Sequence, residues 1–365
     1  MGFKVGNKVY IEVSGASHSE YIEVRLEGLP KGGKVDLDEV RSFLKRRQGG
    51  NASYTTARKE ADEPQILGGI RDGELTGDAV IARFANSNAR SKDYSKMRNI
   101  PRPSHADYVA YKKYGRDIDM SGGGFFSGRM TLPVCFAGAL CMQLLKERGI
   151  GIRAHIMSVG DVYDDPFDPV DDNADKLAEH VLPVVKKSAG DEMVSLMEAV
   201  SREGDSVGGC IECKVTNVPA GLGDPIYDSV ESALSYAIFG IPAIKGIEFG
   251  EGFAVAHDLG SKSNDPFIIK DGKVKCATNN SGGIQGGITN GMPVIFRVAV
   301  KPTPSIYKPQ RSVDLDKMEE CELVIEGRHD SCIVPRVVPP VEAMCALVLA
   351  DLIAQENDND RSKNH

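Results

Sequence analysis

No stretch of this 365-residue chain reaches the roughly 18 consecutive apolar residues that cross a bilayer. The least polar segment, Thr131 to Leu145, is too short and carries Gln143, so no membrane span is expected. Residues Met1 to Glu12 lack an apolar core, so no signal peptide is expected. Net positive charge is missing too. The 44 Lys and Arg against 52 Asp and Glu leave −8, which argues against nucleic acid and against a basic membrane-surface protein. Tryptophan is absent, and the 39 glycines show no G-X-Y period, which excludes collagen. No HxxH pair, no GxxxxGK(S/T) and no GxGxxG after a strand occurs, so His-based metal, P-loop and Rossmann readings fail. The one CxxC, Cys210 to Cys213, has no second pair nearby and alternates like a strand, so zinc is not supported. The eight scattered cysteines read as reduced thiols of a cytoplasmic protein. Neither a linker tract nor a tandem repeat of solenoid length divides the chain.

What is present is a foldable mixture. Apolar residues make up 41%, enough for a sizeable core, and the length alone sets a prior of about two domains. Alternation predicts strands at 8–13 and 21–26 around a polar turn, and at 65–70, 79–84, 151–159, 210–218, 243–249 and 292–300. Helices are expected at 36–47, with Asp36 as cap and Val40, Phe43 and Leu44 on one face, and at 104–114, with Ser104 as cap. Further helices are expected at 132–146 (buried), 172–203 (broken near Gly190) and 229–239. A last helix, 341–355, is opened by Pro339 and Pro340, before a polar, frayed tail.

Charge is unevenly spread. Residues 81–130 hold ten Lys and Arg against four acids, a +6 island in an acidic chain. It reads either as a solvated basic face or as a small-anion site. The second reading gains from His105 beside Arg102 in RPSHAD, and from SGGGFFSGR, where glycines precede Arg129 and a helix. Backbone amides at such a turn bind phosphate well. Arg46 and Arg47 meet a QGG loop, NNSGGIQGG is glycine-rich, KPTPS stiffens a strand exit, and GRHD sets Arg, His and Asp side by side. His18, His105 and His329 lie in polar turns, whereas His155, His180, His257 and His365 have no notable company.

In order, GASHS (15–19), RRQGG (46–50), RPSHAD (102–107), GGGFFSGR (122–129), GGIQGG (282–287), KPTPS (301–305) and GRHD with VPRVVPPVEAM resemble the motifs of the chorismate synthase family. The likeness runs from about Val5 to Ala354. It implies an α+β fold: a single-domain β-α-β sandwich over 1–355, with helices enclosing antiparallel sheets, then a polar tail at 356–365. It also implies a cytoplasmic homotetramer. The implied reaction is trans-1,4-elimination of phosphate from 5-enolpyruvylshikimate 3-phosphate, giving chorismate, with reduced FMN and no net redox change. An external flavin reductant is expected, because no fingerprint marks an NAD(P)H site.

Residue roles follow from the resemblance. Arg46, Arg102, Arg129 and Arg336 are assigned to substrate, whose phosphate and two carboxylates suit guanidinium forks. His18 serves the departing phosphate and His105 the N1/C2=O edge of the reduced flavin, while Ser17 and Asp330 relay a proton near N5. Flavin contacts are Phe125, Phe126, Ser127, Pro242, Ala243, Gly286, Lys301, Pro302, Thr303, Pro304, Ser305 and Arg328. Some positions depart from the common pattern: Ser19 and Ser104 stand for glycines, Met130 for an acid, and Asn51 to Ser53 lack an arginine. Serine fits a glycine position if φ is negative and is strained otherwise. A ligand-binding paralogue without turnover, and an NAD(P)H oxidoreductase, are the competing readings.

Overall fold

The computed structural model describes residues 2–49, 62–86, 99–171, 176–270, 272–325, 327 and 329–363. The first five-stranded antiparallel sheet contains β1 (Gly2–Gly6), β2 (Tyr10–Gly15), β3 (Tyr21–Glu27), β4 (Gln65–Gly68) and β5 (Val80–Ala85), in the order β1-β2-β3-β5-β4. Alternation builds it: Ile11 pairs with Leu26, Val24 with Ala82 and Ile22 with Phe84, all buried on one face. The second antiparallel sheet contains β6 (Gly151–Val159), β7 (Val162–Tyr163), β8 (Gly209–Thr216), β9 (Ile244–Phe249) and β10 (Val294–Val300), in the order β9-β10-β8-β6-β7.

Helices pack against these sheets and on one another. Helix α1 (Leu37–Arg46) is capped by Asp36, whose carboxylate accepts from the amides of Asp38 and Glu39. Helix α2 is Asp107–Tyr114, and α3 (Thr131–Glu147) is apolar on all sides. Helices α4 (Lys187–Arg202), α5 (Val230–Ile238, capped by Ser229) and α6 (Val334–Lys363) follow. Helix α3 packs on β2, β3 and β5 on one side and on α6 on the other, while α6 also packs on β6 and β8. The α+β class with antiparallel sheets is therefore as expected. The helical stretches Gly128–Glu147 and Val334–Asn357 are long and apolar enough to cross a membrane, yet most of each is buried in this core.

The α3–α6 crossing depends on Gly138. A methyl group there would lie 2.3 Å from Cβ of Ala343 and 2.5 Å from its carbonyl oxygen. A single carboxylate near the other end of α6 ties in the N-terminal sheet. Asp351 accepts the amides of Asn7, Lys8 and Val9 at 2.9, 2.6 and 2.9 Å.

Three expectations are corrected. Helix α6 begins at Val334, so Pro339 and Pro340 lie inside it. They withhold the amides that would bond the carbonyls of Pro335 and Arg336. Its backbone is helical to Lys363. The stretch 176–186 is not helical; α4 starts at Lys187, and Gly190 lets His180 and Val184 pack against its first turn. His155 has close company after all. It is fully buried between Asp164 (Nδ1 to Oδ2, 3.1 Å) and Glu212 (Nε2 to Oε2, 3.1 Å), and Glu212 also accepts from Arg297. His155, Glu212, Arg297 and Glu248 form one row across four strands.

Burial alone would lower the His155 pKa, but hydrogen bonds to the two carboxylates raise it above its ordinary 6.5. Burial likewise opposes ionisation of Asp164 and Glu212, yet bonds from His155 and backbone amides bring both below their ordinary 3.8 and 4.5. The histidine term is thus complete below pH 6.5 and is lost as pH rises through the raised folded value. The carboxylate terms are complete above pH 4.5 and are lost as pH falls through the lowered values. His155→Gln is expected to cost about 3 kcal/mol near pH 6, with a smaller deficit at pH 9, by urea unfolding at both. Gly138→Ala is expected to lower stability by about 1–3 kcal/mol through overpacking, read as a lower thermal midpoint.

Candidate active site

The N-terminal ends of α3 and α6 open on one cleft of about 670 Å³. Its walls are the C-terminal end of α1 with Gln48 and Gly49, the Arg102–Ala106 turn, residues 122–131, residues 239–245 leading into β9, the exit of β10, and residues 329–340. Helix N-termini carry unsatisfied amides and positive potential, so the cleft is built for anions.

A glycine triplet reaches the cleft at Gly122. Gly122, Gly123 and Gly124 have φ of 58°, 91° and 55°, outside ordinary helical space. A Cβ on Gly122 would meet His18 Cε1 at 2.0 Å, and one on Gly123 would stand 3.7 Å from His105 Nε2. The two histidines thus approach neighbouring glycines. His18 rides on the β2–β3 hairpin tip, where Ser17 Oγ lies 3.0 Å from its Nδ1 and 3.3 Å from the Gly122 carbonyl oxygen. Ser19 is not strained: its φ is not positive, and its hydroxyl accepts from the Ala16 amide and lies within hydrogen-bond reach of the Ala16 and Tyr21 carbonyls. Ser104 does not cap α2, which starts at Asp107; it sits at φ 57°. Its carbonyl accepts from Lys301 Nζ.

The arginines come with carboxylates. Asp62 bridges Arg47 (2.7 Å) and Arg129 (2.9 Å), all three buried, and Asn86 accepts from Arg129 Nε. Asp107 takes a bidentate bond from Arg102, and Asp330 pairs with Arg336 at 2.6 Å. Arg336 also donates to the carbonyl of Arg47, which joins α6 to the end of α1. Burial pushes the Arg47 guanidinium below its usual pKa; Arg336 and Arg129 add to that, against the pull of Asp62. It remains a cation at neutral pH. Burial and the charge of Lys245 both push Lys301 down. Arg47, Arg102, Arg129, Lys245, Lys301 and Arg336 face the cleft.

Most expected positions meet here: His105, Arg102, Arg129, Arg336, Asp330, Phe125, Phe126, Ser127, Pro242, Ala243, Lys301, Thr303, Pro304 and Ser305 line the cleft. His18 and Ser17 stand behind Gly122, and Pro302 is not among the lining residues. Gly286 is elsewhere, in a hairpin turn between Ile284–Gln285 and Ile288–Thr289. Arg328 lies outside the described residues, as do Asn51 to Ser53 and Arg90, Lys92, Lys96 and Arg98 of the basic island. Arg83 and Arg116 of that island instead pair with Glu23 and Asp316 at the surface.

Arg46 is not among the residues that line the cleft. It binds Glu342 at 2.6 Å and stacks on Phe43, while Arg47, which follows Val40 and Leu44 on the buried face of α1, lines the cleft. Asp62 and Lys245 also reach the cleft without a local signal in the sequence, and His329 reaches it from the GRHD turn.

The family model for chorismate synthase matches residues 9–354. A chorismate synthase of Thermococcus gammatolerans is 46% identical over 347 residues, covering 95% of this chain and 96% of the relative. One from Lancefieldella parvula is 42% identical over 95% of both chains, and one from Archaeoglobus fulgidus 40% over 98% of both. A crystal structure of chorismate synthase superposes with a TM-score of 0.73 at 26% identity, covering 96% of this chain and 93% of that one. The chain is thus a carbon–oxygen lyase. The chain belongs to the chorismate synthase family.

Ser104 in left-handed backbone costs about 1–2 kcal/mol. Ser104→Gly is expected to raise the unfolding free energy by about 0.5–1 kcal/mol after glycine's entropic cost, measured by urea denaturation. A loss of stability contradicts the strain argument.

Proposed function

We propose that this chain is a chorismate synthase: it eliminates phosphate from 5-enolpyruvylshikimate 3-phosphate in the trans-1,4 sense, the last step of the shikimate pathway. One observation carries the reading. Six cations face the cleft, while the carboxylates of Asp62, Asp107 and Asp330 hold four of them. The surplus positive charge suits a substrate with one phosphate and two carboxylates.

Reduced FMN fits the residues present. Thr303 Oγ1 is buried without a hydrogen-bond partner among the described residues, Ala243 is held at φ 75°, and Phe125 and Phe126 form an apolar wall with ring centroids 4.7 Å apart. Phe125, Phe126, Pro242, Ala243, Lys301, Thr303 and Ser305 would hold it. When bound it supplies electron density to the eliminating system, with no net redox change. Arg47, Arg102, Arg129 and Arg336 orient the substrate by its anionic groups. His18, held by Ser17, stabilises or protonates the departing phosphate, whose charge grows as the C–O bond breaks. His105 lines the cleft, and Asp330, steered by Arg336, is the proton acceptor. The enzyme is read as a cytoplasmic homotetramer with one catalytic domain over 1–355, supplied by an external flavin reductant.

Anaerobic incubation with reduced FMN and 5-enolpyruvylshikimate 3-phosphate is expected to yield chorismate and phosphate; binding without turnover favours the non-catalytic paralogue instead. Arg47→Ala is expected to lower kcat/KM by about 10–100-fold, the scale of one charge-assisted contact, and Arg46→Ala by much less. Equal effects would refute the choice of Arg47.

A further inference from the structure

We propose that Asp107 is a positioning residue that fixes the His105 ring in its Nδ1–H form while holding Arg102 with the same carboxylate. The geometry stands by itself; the bearing on turnover rests on the reading above. Each oxygen of Asp107 is used twice. Oδ2 accepts from the backbone amide of Arg102 at 3.0 Å and from its Nε at 2.7 Å. Oδ1 accepts from Arg102 Nη2 at 2.8 Å and lies 2.7 Å from His105 Nδ1. An ionised carboxylate offers about four acceptor sites, and all are filled.

That filling decides where the protons are. Burial resists ionisation of Asp107, but bonds from Arg102 and His105 hold its carboxyl well below the usual carboxylate range. It is therefore acceptor-only at neutral pH. The hydrogen between Oδ1 and Nδ1 must then belong to the imidazole. Nδ1 has no lone pair left for Arg102 Nη2, which stands 3.0 Å away, so that guanidinium hydrogen goes to Oδ1. In the neutral ring Nε2 carries the lone pair; a Cβ on Gly123 would stand 3.7 Å from it, and the His105 ring lines the cleft. A carboxylate that orients a histidine and chooses its tautomer is a general catalytic device.

The surroundings leave this task to Asp107. Lys301 anchors the turn through the Ser104 carbonyl, which sets the backbone and not the ring. Asp107 opens α2, so its own backbone is fixed by a helix. Without its carboxylate, the ring is free to take the Nε2–H form that a solvated imidazole favours. Nε2 then changes from acceptor to donor.

The test is nitrogen NMR of the histidine rings in the full-length, ligand-free protein, labelled with 15N-histidine at a pH where the ring is neutral. The His105 signals are assigned by their loss in His105→Gln. The wild-type protein is expected to show Nδ1 protonated and Nε2 bare. Asp107→Asn and Asp107→Ala are expected to move the ring toward Nε2–H, and Asp107→Glu to restore Nδ1–H. In turnover, Asp107→Asn is expected to lower kcat by ~10-fold or more with a smaller change in KM, and Asp107→Glu to recover part of it. Thermal melts report which variants fold, and the wild-type spectrum decides even if none does. An Nε2–H ring in the wild type, an unchanged tautomer in a folded Asp107→Asn, or a fall in kcat with no change of tautomer overturns the proposal. The expected tautomers with no turnover in the wild type uphold the positioning role and overturn the enzymatic reading.

Discussion

The contact of Gly138 with Ala343 governs the molecule. Two buried helices touch at backbone distance because one of them has no side chain there. Helix α3 carries Arg129 just before its first turn, and α6 carries Arg336 within its own. The separation of the helices therefore sets the separation of two cleft cations. The same packing closes the core between the sheets, so stability and site geometry share one cause.

Charge inside this cleft is arranged in shared units. Asp62 serves two arginines, Asp107 an arginine and a histidine, and Asp330 one arginine. Buried guanidinium groups without such partners would be strongly destabilising. The carboxylates let several cations face one volume, and they fix the direction of each fork before any ligand arrives.

Much of this was legible in short windows. The Asp36 cap, the alternation of β2, β3 and β5, and the glycine triplet are local effects of backbone and neighbouring side chains, and they read correctly. What was missed is not local. Asp62 meets Arg129 across 67 residues, and His155 meets Glu212 across 57, so neither pair leaves a mark in any window. The start of α6 was misplaced because prolines are favourable in a first turn, whereas packing against α3 and two sheet strands tolerates them further in. That Arg47 and not Arg46 lines the cleft is a different case: motif matching does not use the helical period that was present.

The Asp351 carboxylate, bonded to three amides of the β1–β2 turn, draws the two ends of the chain together. The cleft in turn recruits residues from Arg47 to Pro340. No short continuous fragment therefore contains the site, and its residues converge only as long loops close, so the cleft shares the entropic cost of the fold.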